Sequence, residues 1–220
     1  MNSILPINNG IFASGKQQLS ITLSSLDEKP FFLDPATKFR IMEFDAQTTL
    51  EFKSIVKELE PNLSNNGSYD RYTVKAEFEA SVPYEINSLV KALPLIELDE
   101  IERKLSDYFG YIKSLFQHKE YDKIRMEMQE KENNIATAMY LSPAESEARL
   151  NSIFDDMENG FELDGEALSF PYFFENGRIV SFRNYRGAPA IRLINRNSGE
   201  ELFIELNVMV DRESRKFHIV

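Results

Sequence analysis

The stretch Ser142–Glu166, SPAESEARLNSIFDDMENGFELDGE, is where the chain turns from helix to strand. Ser142 is followed at once by Pro143 and three residues on by Glu145, the pattern of an N-cap, a proline in the first turn and a capping-box partner. Leu150, Ile153, Phe154 and Met157 then recur at the spacing of one helix face, and Asn159-Gly160 ends the helix. The chain upstream to Asp99 reads as helix, and the chain downstream reads as strand. The stretch also holds eight carboxylates and one arginine, so it carries seven of the chain's eleven net negative charges.

Upstream, Asp99 as a cap with Glu102 three residues on predicts a helix to about Phe116, its apolar stripe including Leu105, Phe109, Ile112 and Leu115. Gln117-His118-Lys119 interrupts it, and Tyr121, Ile124, Met128 and Ile135 line a second, more charged helix to about Tyr140. Its alternating charges read as a solvated face, with too few heptads for a coiled coil. Downstream, Leu168–Phe174 and Arg178–Tyr185 flank a turn at Glu175-Asn176-Gly177, and Ala190–Ile194 follows. Glu201–Val210 reads as one long strand with Leu202, Ile204, Leu206, Val208 and Val210 on one face, before a last strand, Lys216–Val220. Strands with one buried face need a cover, and the helices between Asp99 and Met157 are the natural one.

Nearer the start, Leu19–Ser25, Thr37–Phe44 and Arg71–Ala80 alternate polar and apolar residues and predict strands. Phe52, Ile55, Val56 and Leu59 fall at i, i+3, i+4 and i+7, which predicts a helix from Ala46 to Leu59, capped by Asp45. Ile86, Leu89, Val90 and Leu93 repeat that spacing after Pro83. Sliding the chain by 34 residues lays Glu43–Leu59 over Glu77–Leu93 with eight of seventeen positions identical. This fits a duplicated strand-helix unit; the competing reading is that two amphipathic strand-helix pairs align by pattern alone. The expected fold is α+β: an antiparallel C-terminal sheet covered by a central helical layer, with an N-terminal strand-helix-strand-helix portion. The expected division is 1–95 and 96–220, with one continuous domain as the alternative.

A chain of 220 residues, 42% of them hydrophobic, is long enough to bury a sizeable core. With no cysteine there are no disulfides, thiol nucleophiles or cysteine metal sites, which is compatible with a reducing compartment. The opening MNSILPINNG has no basic leader or signal-length apolar run, and no window reaches the ~18 apolar residues of a membrane span. A cytoplasmic protein is the expectation. A net charge of -11 and a pI near 4.8 disfavour nucleic acid, whose phosphates call for Lys and Arg, and favour a basic partner.

Catalytic signatures are sparse. His118 and His218 have no second ligand at metal spacing. Ser14-Gly15-Lys16 lacks the first glycine and the final Ser/Thr of a phosphate loop. Over Asp155–Glu166, placing Gly160 at the sixth position of a calcium loop puts Met157 where an oxygen ligand is required. No cofactor is called for. Arg178, Arg183, Arg186, Arg192 and Arg196 can neutralise the acidic stretch or bind an anion. The remaining candidate site is an acidic rim of Asp155, Asp156, Glu158, Glu162, Asp164 and Glu166.

The function expected from these residues is a binding protein or inhibitor that masks a basic protein partner and has no chemistry of its own. In size, acidity and lack of catalytic motifs the chain resembles the immunity proteins of bacterial toxin systems, a likeness of class rather than of motif. That resemblance implies a cytoplasmic inhibitor with a basic toxin as partner. The alternatives are a hydrolase or metal-dependent enzyme using convergent carboxylates, and a structural or assembly subunit marked by an exposed apolar patch.

Overall fold

Strict alternation buries every second side chain only on an extended backbone, whereas a three-to-four spacing does so on a helix. A computed structural model describes residues 4–25, 29–45, 51–63, 67–165, 169–174, 176–184 and 187–220, apart from the side chain of Leu89. The fold is mixed α+β, with antiparallel strands in several sheets. The chain divides into two compact units, Ala13–Glu85 and Met1–Phe12 with Ile86–Val220.

In the first unit, β1 (Gly15–Ser24) pairs with β6 (Arg71–Ala80) in unbroken register, from Gly15 opposite Ala80 to Ser24 opposite Arg71. Half-buried and exposed residues alternate along β1 as the period of two requires. Two short strands, β2 (Phe31–Phe32) and β5 (Ser68–Tyr69), also pair. The third pair is β3 (Phe39–Asp45) with β4 (Glu51–Leu59), and it overturns the helix expected over 46–59. The expected helix start, Ala46, lies outside the described residues.

The physical reason is a pair of β-bulges in β4. The register steps from Ile41 opposite Lys57 to Met42 opposite Ile55, passing over Val56, and from Glu43 opposite Ser54 to Phe44 opposite Phe52, passing over Lys53. Each extra residue turns the strand over by one face. Phe52 and Ile55, three apart, therefore share a face as they would on a helix. The helix expected from Pro83 is also corrected: only α1 (Ser88–Lys91) forms, and Val90 is exposed. Among the described residues, the expected strand-helix-strand-helix layout is instead six strands followed by one short helix. The aligned stretches Glu43–Leu59 and Glu77–Leu93 fold differently, the first as two paired strands and the second as a strand end, a loop and α1.

In the second unit α1 leads through a single 3₁₀ turn, Leu95–Glu97, to α2 (Ile101–Gln117), α3 (Tyr121–Ala138) and α4 (Pro143–Glu158). Helix α2 buries Leu105, Phe109, Ile112, Leu115 and Phe116, the expected stripe. Its cap is not Asp99. Glu100 precedes the helix in the left-handed region (φ 53°) without a side-chain cap, and Asp99 offers its backbone carbonyl to Lys104 Nζ at 3.0 Å. The capping box of α4 forms as its residues predict: the Glu145 amide donates to Ser142 Oγ at 3.3 Å, and the Ser142 amide donates to Glu145 Oε2 at 2.8 Å.

The remaining strands are β7 (Phe161–Leu163), β8 (Phe170–Phe174), β9 (Ile179–Arg183), β10 (Ile191–Asn195), β11 (Glu201–Ile204), β12 (Asn207–Val210) and β13 (Phe217–Ile219). They form an antiparallel three-stranded sheet, β11-β10-β7, and an antiparallel four-stranded sheet, β13-β12-β9-β8. Leu168, Glu175 and Tyr185 of the expected strands and turn lie outside the described residues. The single strand expected over Glu201–Val210 is two strands, one in each sheet. Ile204, Leu206, Val208 and Val210 still enter one core with the helices, where Phe109 stacks on Phe182 at 4.1 Å. The break falls at Glu205, because its backbone leaves the ladder of one sheet before joining the other. Its carbonyl is satisfied by Lys131 Nζ of α3 at 2.6 Å, and its carboxylate pairs with Arg183. Among the described residues no helix is long and apolar enough to cross a membrane.

Burial holds the Lys131 ammonium below the ordinary lysine pKa, although the charges of Glu132 and Glu205 act in the opposite direction. A lysine lowered in this way charges less readily when folded than when unfolded. Its cost to stability is present in full below the folded pKa and is lost as pH rises towards the unfolded value near 10.5. Chemical denaturation of wild type and Lys131→Met across that window should therefore show the stability difference moving in favour of wild type as pH rises. A pH-independent difference would contradict the assignment.

Candidate partner-binding face

Because Ser142 and Glu145 set where α4 begins, the length of its apolar stripe sets where it ends, and the last turn carries Asp155, Asp156 and Glu158. The last turn holds no basic residue. A helix C-terminus is the negative end of the helix dipole, so acids there cost roughly 0.3–1 kcal/mol each at low ionic strength. Part of the deficit is met from elsewhere: Lys119 Nζ donates to the Met157 carbonyl at 2.7 Å. Buried Phe154 and Met157 hold the turn against the core, which leaves Asp155 and Glu158 outward and Asp156 half-buried.

Past Gly160, whose φ of +100° suits glycine, the chain enters β7. Glu162 is exposed and lies opposite Ile194 of β10. Asp164 is different, for Arg192 NH1 lies 3.3 Å from its Oδ2 and the same guanidinium also binds Glu201. Glu166 lies outside the described residues. Glu158 accepts a hydrogen bond from the Tyr121 hydroxyl, which ties the start of α3 to the end of α4. That contact brings Glu120 and Asp122, which flank Tyr121, to the same end of the helix pair. They were missed because their charges read as an ordinary solvated surface; only the antiparallel packing of α3 on α4 distinguishes them.

Two arginines of the sheets have acid partners, and one of those partners belongs to the rim. Arg183 pairs with Glu205 and donates to the Gly187 carbonyl at 2.9 Å, while Arg192 serves Asp164 and Glu201. Arg186 lies outside the described residues. Among the described residues no ion pair reaches Asp155, Asp156 or Glu162. Among the described residues the rim thus comprises one internally paired acid, Asp164, one held by a tyrosine, Glu158, and three that no ion pair reaches, of which Asp155 and Glu162 are exposed and Asp156 is half-buried; the sixth, Glu166, lies outside them.

A groove of about 500 Å³ runs between α3 and α4, with Leu150 and Glu132 among its walls. Buried Glu132 is gripped by Arg149, Nε at 3.1 Å and NH2 at 3.2 Å, an arrangement that holds two helices together. His118 Nδ1 lies 2.8 Å from the Ser114 carbonyl, and His218 Nδ1 lies 3.1 Å from Glu130. Among the described residues no three His, Cys, Asp or Glu side chains converge as a metal site. No family model, curated protein or solved structure matches the chain. The reading of this face therefore rests on its own geometry.

Two helix ends can be compared directly by thermal melts at low salt. Ser142→Ala, which removes the cap, should cost about 1 kcal/mol. Asp155→Asn with Asp156→Asn, which relieves the dipole, should leave stability unchanged or raise it by up to roughly 1 kcal/mol, an effect that fades with added salt. A loss in the double variant would mean that these acids are structural.

Proposed function

We propose that the chain is an acidic binding protein that masks a basic protein partner, in the manner of a toxin-immunity inhibitor acting in the cytoplasm. The observation that carries the reading is the last turn of α4. Three carboxylates stand there at the end of a helix that disfavours them, while the arginines described in the sheets bind other acids. A fold left to optimise its own stability places bases at that position. Acids there are explained when their free energy is recovered on binding a cation.

In this reading Asp155, Asp156 and Glu158 form the centre of the contact, with Glu162 beside them and Asp164 at its internally neutralised margin. Complementary charge raises the association rate and discriminates against other acidic proteins more than it adds raw affinity. In this reading recognition is by charge rather than by enclosing a substrate.

Mass spectrometry of proteins co-purifying with the tagged chain from its native host should identify a basic protein. The triple variant Asp155→Asn, Asp156→Asn, Glu158→Gln should bind that protein at least about tenfold more slowly while melting no lower than wild type. The wild-type association rate should also fall steeply with salt. Capture of no basic protein, or undiminished association by the triple variant, would rule the proposal out.

A further inference from the structure

The groove between α3 and α4 has an apolar wall and acidic margins. Ala136 of α3, Leu141 just before α4, and Pro143 and Leu150 of α4 supply the wall. Along α3, Asp122, Met126, Gln129 and Asn133 recur at four, three and four residues, so they share one exposed stripe. The last three line the groove, and Met126 is 74% exposed. Along α4, Glu147, Asn151, Asp155 and Glu158 recur at four, four and three residues. Glu147 lines the groove, and Asn151 accepts a hydrogen bond at 2.7 Å from Arg125, which lines it too. The α4 stripe therefore runs beside the groove and leads into the rim at Asp155 and Glu158.

The charge of this helix pair is one-sided. Helices α3 and α4 together hold nine carboxylates and four bases. All four bases are engaged within the fold. Lys123 pairs with Glu120, Lys131 donates to the Glu205 carbonyl, and Arg149 grips Glu132. Arg125 is bonded to Asn151 and lies 5.4 Å from the centre of the Phe154 ring. Asp122, Glu147 and Asp155 are exposed, and among the described residues no ion pair reaches them.

The shape of the groove restricts what can fill it. From Arg125 to Ala136 it runs on the order of 16 Å along α3, three helical turns. Both walls are helices, whose peptide groups bond within the helix except at its ends. An occupant lying along them finds no backbone partner and has to satisfy its own peptide groups, which a helix does and an extended segment does not.

We propose that this groove receives an amphipathic helix of the basic partner. Its apolar stripe sits on Met126, Ala136 and Leu150, and its Lys or Arg residues flank that stripe, against Asp122, Glu147 and Asp155. The inference rests on the reading of the protein as a binder of a basic partner, and it specifies the element that partner presents. Anchors at i, i+4, i+7 and i+11 place the apolar side chains in one line, as a groove between helices requires.

The test is an NMR titration of the ¹⁵N-labelled full chain with three capped helical peptides of equal length. The first has Leu at i, i+4, i+7 and i+11 with Lys on both flanks, the second has Glu in place of Lys, and the third has the composition of the first with its Leu scattered round the helix. The first should bind with a Kd of about 1 mM or tighter, at least about tenfold more tightly than the others, with amide shifts centred on 125–136 and 143–150. The variant Met126→Lys, Glu147→Lys changes two exposed side chains and is checked for folding by its own spectrum; it should bind the first peptide at least about tenfold more weakly. No binding, equal binding of the scattered peptide, shifts centred elsewhere, or undiminished binding by the variant would each overturn the proposal. Occupation by a second copy would appear as a concentration-dependent increase in mass without peptide, and would also overturn it. A basic protein captured from the host that binds this variant as it binds wild type would overturn this inference and leave the rim reading in place. Peptide binding as expected, with no basic protein captured, would strike the rim reading and leave the groove.

Discussion

The second unit depends on one corner, the two residues Glu205 and Leu206 at which the chain leaves one sheet and enters the other. Leu202, Ile204, Leu206, Val208 and Val210 have to face a single core, yet the pairing partners of β11 and β12 belong to different sheets. A strand cannot change partners without freeing backbone polar groups, and a freed group away from water costs about as much as a lost hydrogen bond. Lys131 resolves this by reaching from α3 to the Glu205 carbonyl, and Arg183 fixes the Glu205 side chain. Neighbouring residues on a helix point roughly 100° apart. Lys131 can therefore serve the corner while Glu132 meets Arg149 of α4, so two adjacent charges of α3 join the sheets on one side and the next helix on the other.

How much of this was legible depends on whether a signal was local. The capping box of α4, the apolar stripe of α2 and the alternation of β6 each lie within one element, and each element formed where its residues indicated. The β4 error came from a signal that two structures share. A strand with two bulges can put residues three apart on one face, and Phe52 with Ile55 does so; yet Ile55 and Leu59, four apart, fall on opposite faces, which no helix would do. Nothing within the stretch distinguishes these cases, because the bulges are defined only by the pairing of β4 with β3. The likeness of Glu43–Leu59 to Glu77–Leu93 strengthened the error, since similar residues take different backbones when their neighbours differ.

The acidic rim was legible to the same degree. The end of α4 follows from its beginning, so the place of Asp155, Asp156 and Glu158 could be read in advance. That Asp164 is neutralised could not, because Arg192 reaches it only through the antiparallel pairing of β7 with β10. The same holds for Tyr121 and Glu158, which lie 37 residues apart and meet through helix packing. Charge counts along a chain thus overstate an acidic surface wherever the fold supplies partners from a distance.

Surface charge acts over a screening length of about 8 Å at physiological ionic strength, so an acidic helix end can speed encounter without fixing how a partner sits. The acidic end of α4 would therefore act on the rate of encounter, while the fit of a partner would be decided by the apolar and backbone groups around it.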